Sequence, residues 1–272
     1  MILNSSAVAP LLKQMGEVGK RLSEIGATEG AAGNISICTR DTLEVREFFP
    51  QMNMMNLPVP APDLAGATVL ATGSGRRLRD ISDAPTANLA AIIIEDGGKT
   101  GRLYTAADCP FKRVTSEFNS HLAVHHDQMR LRPIKSHAIV HAQPKNLTFL
   151  SHHSRYQNEH YFNTRLLRWQ PETILNFPDG IGVLPFLLPG SEHLMIESML
   201  CLREHQMVVW SQHGVMARAD DSILHALDLI EYAETAAQYE VLNLSTGEGS
   251  SGLSPEHIRA VADSWNIKQK IY

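Results

Sequence analysis

The chain has 272 residues, of which 43% are hydrophobic and 19% are charged. This length is sufficient for one or two domains with a full hydrophobic core. The formal net charge of −5 argues against a general nucleic-acid or anionic-membrane surface, because both need clustered cations. We therefore expect neither a nucleic-acid partner nor a membrane partner, and any bound anion must be held locally.

The cysteine and histidine content indicates the redox state of the cellular compartment and the possibility of metal binding. Cys38, Cys109 and Cys201 are odd in number and form no CxxC pair, which favours a reducing compartment over a disulfide framework. The N-terminus lacks the basic start and apolar core of a signal peptide, and no run approaches the ~18 apolar residues that span a bilayer. We predict a cytoplasmic protein. Its 13 histidines are unusual, since neutral imidazole is the commonest protein metal ligand.

The first half of the chain is predicted to mix helices and strands. Apolar residues recur at helical spacing over residues 7–25 and predict an amphipathic helix. A stretch rich in Pro and Met, residues 49–64, has no clear period, and its four prolines predict an ordered excursion without regular strand pairing. The remaining predicted elements of this half are strands over residues 35–38, 67–71, 89–95 and 103–106 and a helix over residues 115–129.

The second half continues the same mixture without a change in composition. We therefore predict one α/β domain over residues 1–272, with a layered sheet and a C-terminal helical extension after about residue 245. The predicted elements are a strand over 136–143, helices over 146–152 and 158–169, a loop-strand-loop unit over 176–190, a helix over 191–203, a strand over 207–217, a helix over 222–242, and a small helix begun by Ser254.

Two histidines near predicted strand ends are candidate metal ligands. His141 and Gln143 are two residues apart, so on a strand they share one face and point into the same pocket. Taken alone, His141 is more typical of a hydrogen-bonded histidine. His213 follows an apolar run, and Gly214 leaves room for the backbone. Two such histidines on neighbouring strands could bind a divalent ion such as zinc, and two unrelated strand-end histidines are the equal alternative.

The segment Thr115, Ser116 and Glu117 is predicted to open a helix. A hydroxyl residue at the N-cap satisfies free N–H groups, and the helix N-terminus favours an anion such as phosphate. A plain cap is the commoner interpretation of this pattern. His121 and His125 lie four residues apart on the same helix, so they either form a rival metal pair or pack in a stripe against neighbouring elements.

Two glycine-rich loops are candidate oxyanion sites. Gly33-Asn34 follows the first helix, and Ser74-Gly75 follows a strand. Glycine lets backbone N–H groups approach an oxyanion closely, while serine and asparagine add side-chain donors. Each loop alone is a weak signal. The cations that follow the second loop, beginning at Arg76, are typical of a solvated face.

In chain order, the motifs GN, TGSG, TSE, H-x-Q, FPDGIG and QHGV resemble the class II aldolase/adducin family from about Gly33 to Leu242. The resemblance implies a single-domain α/β/α sandwich with a central mixed, largely antiparallel sheet, assembled as a homotetramer with active sites at subunit interfaces. The pattern is most similar to the branch that cleaves L-rhamnulose 1-phosphate by a retro-aldol reaction to dihydroxyacetone phosphate and L-lactaldehyde. A small-molecule sugar phosphate is the expected partner.

The resemblance also implies roles for individual residues. It implies one divalent metal per subunit, usually Zn²⁺, carried by three histidines; two match His141 and His213, and Gln143 stands at the third position. It implies that Glu117 is the catalytic acid/base and that Glu172 acts on the aldehyde side from a neighbouring subunit. The implied phosphate site consists of Gly33, Asn34, Ser74, Gly75, Thr115 and Ser116.

Two other functions remain open at this stage. The same fold and metal could serve an epimerase of pentulose phosphates or an aldolase of fuculose- or 5-deoxypentulose-type phosphates. A non-catalytic module like the adducin head is the other alternative, because such modules have lost metal ligands and Gln143 replaces one here. The presence of Glu117, His141, His213 and both glycine-rich loops favours an enzyme.

Overall fold

The computed structural model describes the backbone of residues 2–3 and all of residues 7–272. The strands are β1 (Ile2–Leu3), β2 (Asn34–Thr39), β3 (Thr42–Leu43), β4 (Gln51–Asn56), β5 (Thr68–Thr72), β6 (Leu89–Ile94), β7 (Thr100–Thr105), β8 (Ser136–Ala142), β9 (Gly182–Leu184), β10 (Met207–Trp210) and β11 (Gly214–Ala219). The helices are α1 (Val8–Glu24), α2 (Pro85–Asn88), α3 (Phe118–Leu131), α4 (Lys145–Ser151), α5 (Glu159–Leu166), α6 (Pro171–Asn176), α7 (Glu192–Glu204), α8 (Ile223–Ser245) and α9 (Pro255–Ser264).

One large sheet organises the fold. Within the described residues its strands lie in the order β4-β7-β6-β5-β2-β8-β11-β10-β9. Neighbouring strands are antiparallel, except for β9 and β10, which are parallel. Strands β1 and β3 form a separate two-stranded parallel pair. The central sheet is therefore mixed and largely antiparallel, which confirms the prediction.

Helices cover both faces of the sheet. On one face α8 contacts β8 and β11 and packs beside α1 and α4, and on the other face α3 contacts β8 and packs against α7. Successive residues of β8 point to opposite faces: Val140 joins the apolar core under α1 and α8, while Ile139 joins the core that contains Trp210. The α/β/α sandwich is confirmed, and the single-domain organisation with a helical extension stays a prediction.

Local sequence explains several helix starts. Ser191, Ser222 and Ser254 each accept a hydrogen bond from a main-chain N–H group in the first turn of α7, α8 and α9. Such caps satisfy donors that a helix leaves free at its N-terminus.

In the part of the chain that the structure describes, no helix is both long and apolar enough to cross a membrane.

The Pro- and Met-rich stretch is more regular than predicted. Residues 49–64 contain β4, which pairs antiparallel with β7 at the edge of the sheet. The expectation that four prolines forbid pairing was wrong, because Pro50 and Pro58 flank the strand and do not interrupt it. An edge strand also needs hydrogen bonds on one side alone. Met52 and Met54 of this strand are exposed.

Three further predictions need correction. The predicted strand over residues 207–217 is a hairpin, β10 and β11, with its reversal at residues 211–213. The predicted helix over residues 115–129 begins at Phe118, and Glu117 occupies the N-cap position without a side-chain cap bond. Thr115 is therefore not the N-cap, although its hydroxyl accepts a hydrogen bond from the N–H group of Glu117 at 3.3 Å. Helix α6 was not predicted.

Candidate functional site

Three elements bring one carboxylate and two imidazoles together. Glu117 immediately precedes α3, His141 lies at the end of β8, and His213 lies immediately before β11. Glu117 Oε2 is 3.5 Å from His141 Nε2, and Glu117 Oε1 is 3.5 Å from His213 Nε2. The centroids of the two imidazole rings are 5.0 Å apart. We call Glu117, His141 and His213 the outer triad.

The hairpin between β10 and β11 places His213 over His141. Gln212 adopts the left-handed conformation, with φ of 64°, and its N–H group donates to Ser151 Oγ at 2.8 Å. A Cβ atom on Gly214 would lie 2.4 Å from the carbonyl oxygen of Ala142, so a side chain there would force β11 away from the end of β8. Gly214 therefore permits the close approach of the two strands that carry the histidines.

The ring nitrogens of the outer triad suit a metal ion. His141 Nδ1 donates to the carbonyl oxygen of Val215 at 2.8 Å, which leaves the lone pair of Nε2 directed toward Glu117. Metal-binding histidines commonly use one nitrogen in this way to fix the other. The candidate ligand atoms of the triad lie within 4.8 Å of one another. Two imidazoles and a carboxylate form a donor set that zinc accepts, so these residues fit a divalent ion.

The charge states of the triad also suit a metal. Burial raises the pKa of Glu117, but neighbouring His141 and the hydrogen bond from Asn34 more than offset this effect, so the pKa lies below its usual value. Burial and the proximity of His141 lower the pKa of His213 to about 4, against the opposing effect of Glu117. At neutral pH the site therefore offers a carboxylate and a neutral His213 ring, the forms that bind metal ions.

A cavity of about 230 Å³ lies against the outer triad. Gly33 has φ of 81°, and a Cβ atom there would lie 2.9 Å from the carbonyl oxygen of His141, so the turn that closes one wall requires glycine. Gln143 is half-buried and lines the same cavity. All of the predicted phosphate residues also line it, namely Gly33, Asn34, Ser74, Gly75, Thr115 and Ser116.

Asn34 lines the cavity and also contacts the outer triad. Its Nδ2 donates to Glu117 Oε2 at 2.8 Å, and its Oδ1 accepts from His121 Nε2 at 2.5 Å. These contacts use Oδ1 and one of the two hydrogens of Nδ2, so one amide hydrogen remains, and the role of Asn34 in a phosphate site stays a prediction. The sequence could not reveal the contact with Glu117, because it forms only when α3 packs against β2.

Arg76 is a cavity residue that the sequence analysis interpreted as part of a solvated face. It lines the cavity beside Ser74 and Gly75, and its Nε donates to Asn88 Oδ1 at 2.9 Å. This bond fixes the guanidinium at the cavity wall, where a cation can attract an anionic group. Its position directly after a glycine-rich loop was the signal that could have identified it.

Other candidate residues lie outside the cavity. His121 Nδ1 and His125 Nε2 both make hydrogen bonds with Ser36 Oγ, at 2.6 and 2.7 Å, so this pair is not arranged as a rival metal site. Glu172 is exposed on α6 and is not among the cavity residues of the chain that the structure describes. A role for Glu172 on the aldehyde side stays a prediction that requires a neighbouring subunit.

Comparison with protein families identifies relatives over most of the chain. The model of the Class II Aldolase and Adducin N-terminal domain family matches residues 13–241. Among curated proteins, the rhamnulose-1-phosphate aldolase of Yersinia pestis (strain Pestoides F) is 29% identical, over 98% of this chain and 96% of the relative. The similarity therefore extends along nearly the full length of both proteins.

Solved structures show the same architecture. A sugar-phosphate aldolase from Thermotoga maritima is 26% identical and superposes with a TM-score of 0.76, over 90% of this chain and 100% of that chain. The L-fuculose-1-phosphate aldolase from Thermus thermophilus is 20% identical and has a TM-score of 0.58, over 90% and 100% of the two chains. The second similarity concerns the fold alone.

Proposed function

The chain belongs to the class II aldolase and adducin family as a class II aldolase, and from this premise we propose that it cleaves L-rhamnulose 1-phosphate to dihydroxyacetone phosphate and L-lactaldehyde. The observation that carries the proposal is the outer triad beside the cavity. Glu117 lies 3.5 Å from both His141 Nε2 and His213 Nε2, and loops rich in hydrogen-bond donors line the same cavity. The identity of the sugar is supported by the curated relative from Yersinia pestis.

We propose that His141 and His213 hold one divalent ion per subunit, Zn²⁺ by preference, with Gln143 at the position of the third family histidine. An ion held there would supply Lewis-acid polarisation of the ketone and adjacent hydroxyl oxygens of the substrate. The orientation of His141 is fixed by its hydrogen bond to Val215, which preserves the Nε2 lone pair for this purpose.

Glu117 is the proposed acid/base. Its pKa lies below the usual value, so the resting group is a carboxylate that can accept a proton. In the condensation direction it removes a proton from C3 of dihydroxyacetone phosphate. In the cleavage direction the C4 hydroxyl loses its proton as the C3–C4 bond breaks, and Glu117, protonated in that step, delivers one proton to C3, so that protons balance. Burial of Glu117 at 5% exposure excludes bulk water from this transfer.

The phosphate is proposed to lie against the donors of Gly33, Asn34, Ser74, Gly75, Thr115 and Ser116. Helix α3 begins two residues after Ser116, and the dipole at its N-terminus favours a negative charge nearby. The guanidinium of Arg76 adds a cation to the same wall. Binding energy from the phosphate fixes the orientation of the bond that breaks at the other end of the molecule.

The proposal includes a homotetramer in which Glu172 reaches the site of a neighbouring subunit. The exposure of Glu172 on α6 is compatible with a contact between subunits. Cys38, Cys109 and Cys201 are free thiols, which supports a cytoplasmic location. The molecular mass of the purified protein in solution tests the proposed homotetramer. A monomer would remove Glu172 from the proposed site.

The test is a coupled assay of dihydroxyacetone phosphate release from L-rhamnulose, L-fuculose and 5-deoxypentulose 1-phosphates, with and without added zinc, manganese and cobalt. We expect the highest kcat/KM with L-rhamnulose 1-phosphate and loss of activity after treatment with a chelator. Preference for another ketose phosphate would move the enzyme to that branch of the family. Absence of cleavage with all three sugars and all three ions would favour a non-catalytic module.

A further inference from the structure

A line of hydrogen bonds runs from Glu117 into the protein core. It passes from Asn34 to His121 at 2.5 Å, then to Ser36 at 2.6 Å, to His125 at 2.7 Å and to His137 at 2.7 Å. None of these five side chains is more than 7% exposed. We call these residues the inner chain: Asn34, His121, Ser36, His125 and His137.

Two similar residue spacings, one on β2 and one on α3, bring these side chains into one line. Asn34 and Ser36 are two residues apart on β2 and therefore share the face that α3 covers. His121 and His125 are four residues apart on α3, slightly more than one helical turn. Their rise of about 6 Å is close to the ~7 Å that separates alternate strand residues. The helix and the strand can therefore alternate their side chains along one line.

The direction of the first two hydrogen bonds follows from Glu117. Its carboxylate only accepts, so the amide nitrogen of Asn34 must face it, as the 2.8 Å contact from Nδ2 to Oε2 requires. The Oδ1 atom of Asn34 is then an acceptor for His121 Nε2. In a neutral ring the other nitrogen carries a lone pair, so His121 Nδ1 must accept from the hydroxyl of Ser36.

The remaining bonds follow in the same way. The Ser36 hydroxyl gives its proton to His121 and therefore accepts at its oxygen from His125 Nε2. His125 Nδ1 is then an acceptor, and His137 Nδ1 must donate to it. His137 Nε2 then carries a lone pair and no hydrogen. This buried atom has no hydrogen-bond partner among the described residues. Every donor in the line thus points toward Glu117.

The surroundings favour neutral rings throughout. Burial and the nearby ring of His125 lower the pKa of His121 to about 3, against the opposing effect of Glu117. Burial, followed by His137, holds the pKa of His125 well below its usual value. For His137, burial is followed by the positive charges of Arg218 and Arg132, which also lower the pKa. Each ring therefore has one donor and one acceptor nitrogen.

We propose that the inner chain positions Glu117, and that Ser36, His121, His125 and His137 are positioning residues of the reaction described under the proposed function, on which this inference rests. The aligned donors hold Oε2 on Asn34 and leave Oε1 on the side of His213. Because an amide does not readily relay a proton, Asn34 keeps the catalytic proton from moving into the core. The line thus orients the carboxylate and does not act as a proton path.

A direct test locates hydrogen atoms and does not depend on activity. Neutron diffraction from crystals of the full chain exchanged into deuterated buffer near pH 8 should show deuterium on His121 Nε2, His125 Nε2 and His137 Nδ1. The opposite nitrogens of these three rings should carry none. Deuterium on His121 Nδ1 or His137 Nε2, in either a reversed or a doubly protonated ring, would overturn the proposed direction of the line.

A kinetic test compares two buried serines. Ser36 and Ser120 are both 0% exposed, but Ser120 Oγ has no hydrogen-bond partner within residues 2–3 and 7–272. We expect Ser36→Ala to lower kcat at least tenfold, with KM for L-rhamnulose 1-phosphate within twofold of the wild-type value. We expect Ser120→Ala to change neither constant more than twofold. A kcat for Ser36→Ala within twofold of that for Ser120→Ala would overturn the proposal.

The two tests separate failure of this inference from failure of the proposed function. If the wild-type protein cleaves none of the ketose phosphates, the proposed function fails and the neutron result alone decides the direction of the line. If Ser36→Ala does not fold, the neutron result again decides. If the wild type is active and the deuterium positions are reversed, the inner chain is not arranged as proposed and the outer triad is unaffected.

Discussion

His137 and His141 lie on the same strand and the same face, four residues apart, yet their rings face different surroundings. His141 is held through Nδ1 by a backbone carbonyl, and its Nε2 faces Glu117 and the cavity. His137 uses Nδ1 toward His125, and its Nε2 is enclosed in the core. Burial is nearly equal, at 1% and 0% exposure. The two histidines therefore differ in the surroundings of Nε2. In His141, a candidate metal ligand, this atom faces the cavity, and in His137, a proposed positioning residue, it faces the core.

The same contrast separates the outer triad from the inner chain as groups. The triad directs its donor atoms to one point that a cation can occupy. In the inner chain, the ring nitrogens form hydrogen bonds with neighbouring side chains. The exception is the buried Nε2 of His137. The two groups meet at Glu117 through Asn34. A count of histidines could not have made this distinction.

The largest expected effect comes from removing the group where the two regions meet. Glu117→Ala should lower kcat about 10³-fold and leave KM for L-rhamnulose 1-phosphate within about threefold, because proton transfer is its main task. Steady-state kinetics measure both constants. Glu197→Ala, which removes a glutamate on α7 whose side chain is 41% exposed, is the control and should retain wild-type values. Unchanged turnover of Glu117→Ala would remove Glu117 from the mechanism.

Acid should destabilise the fold through the inner chain. His121, His125 and His137 have lowered pKa values in the folded state, whereas the unfolded chain restores values near 6.5. The unfolded state therefore binds more protons below this pH, and stability that is complete above about pH 6.5 is lost as the pH falls. At pH 5.5 the loss in the free energy of unfolding is on the order of 1 kcal/mol for each ring.

Urea denaturation at pH 8 and pH 5.5 measures this loss. Replacement of His193, whose side chain is 69% exposed, should leave the difference between the two pH values unchanged. An equal free energy of unfolding at both pH values would show that the inner histidines are not held neutral, and the contrast between the two regions would disappear.

The smallest expected effect concerns the third position of the candidate metal site. Gln143→His should tighten zinc binding about tenfold, because imidazole is a better zinc ligand than a neutral amide oxygen. Isothermal titration calorimetry with zinc measures the change. Gln51→His, on the exposed edge strand β4, adds the same ring away from the cavity and should leave the affinity unchanged. Equal affinities for the wild type and Gln143→His would place residue 143 outside the metal site.

The sequence predicted those features that depend on local periodicity. Alternation along β8 placed His141 and Gln143 on one face, and both line the cavity. The hairpin was missed because its reversal depends on Gln212 in a left-handed conformation, which a glutamine does not signal. The inner chain was missed because it depends on the packing of α3 against β2, although the spacing N-x-S in one element and H-x-x-x-H in the other is visible in the sequence.

The central claim is that His141 and His213 share one cation beside Glu117. Anomalous diffraction at the zinc edge, from crystals soaked in zinc, tests it most directly. The account predicts one peak per subunit in the cavity, about 2.0–2.1 Å from Nε2 of each of the two histidines. Absence of a peak in the cavity, or a peak between His121 and His125, would contradict it.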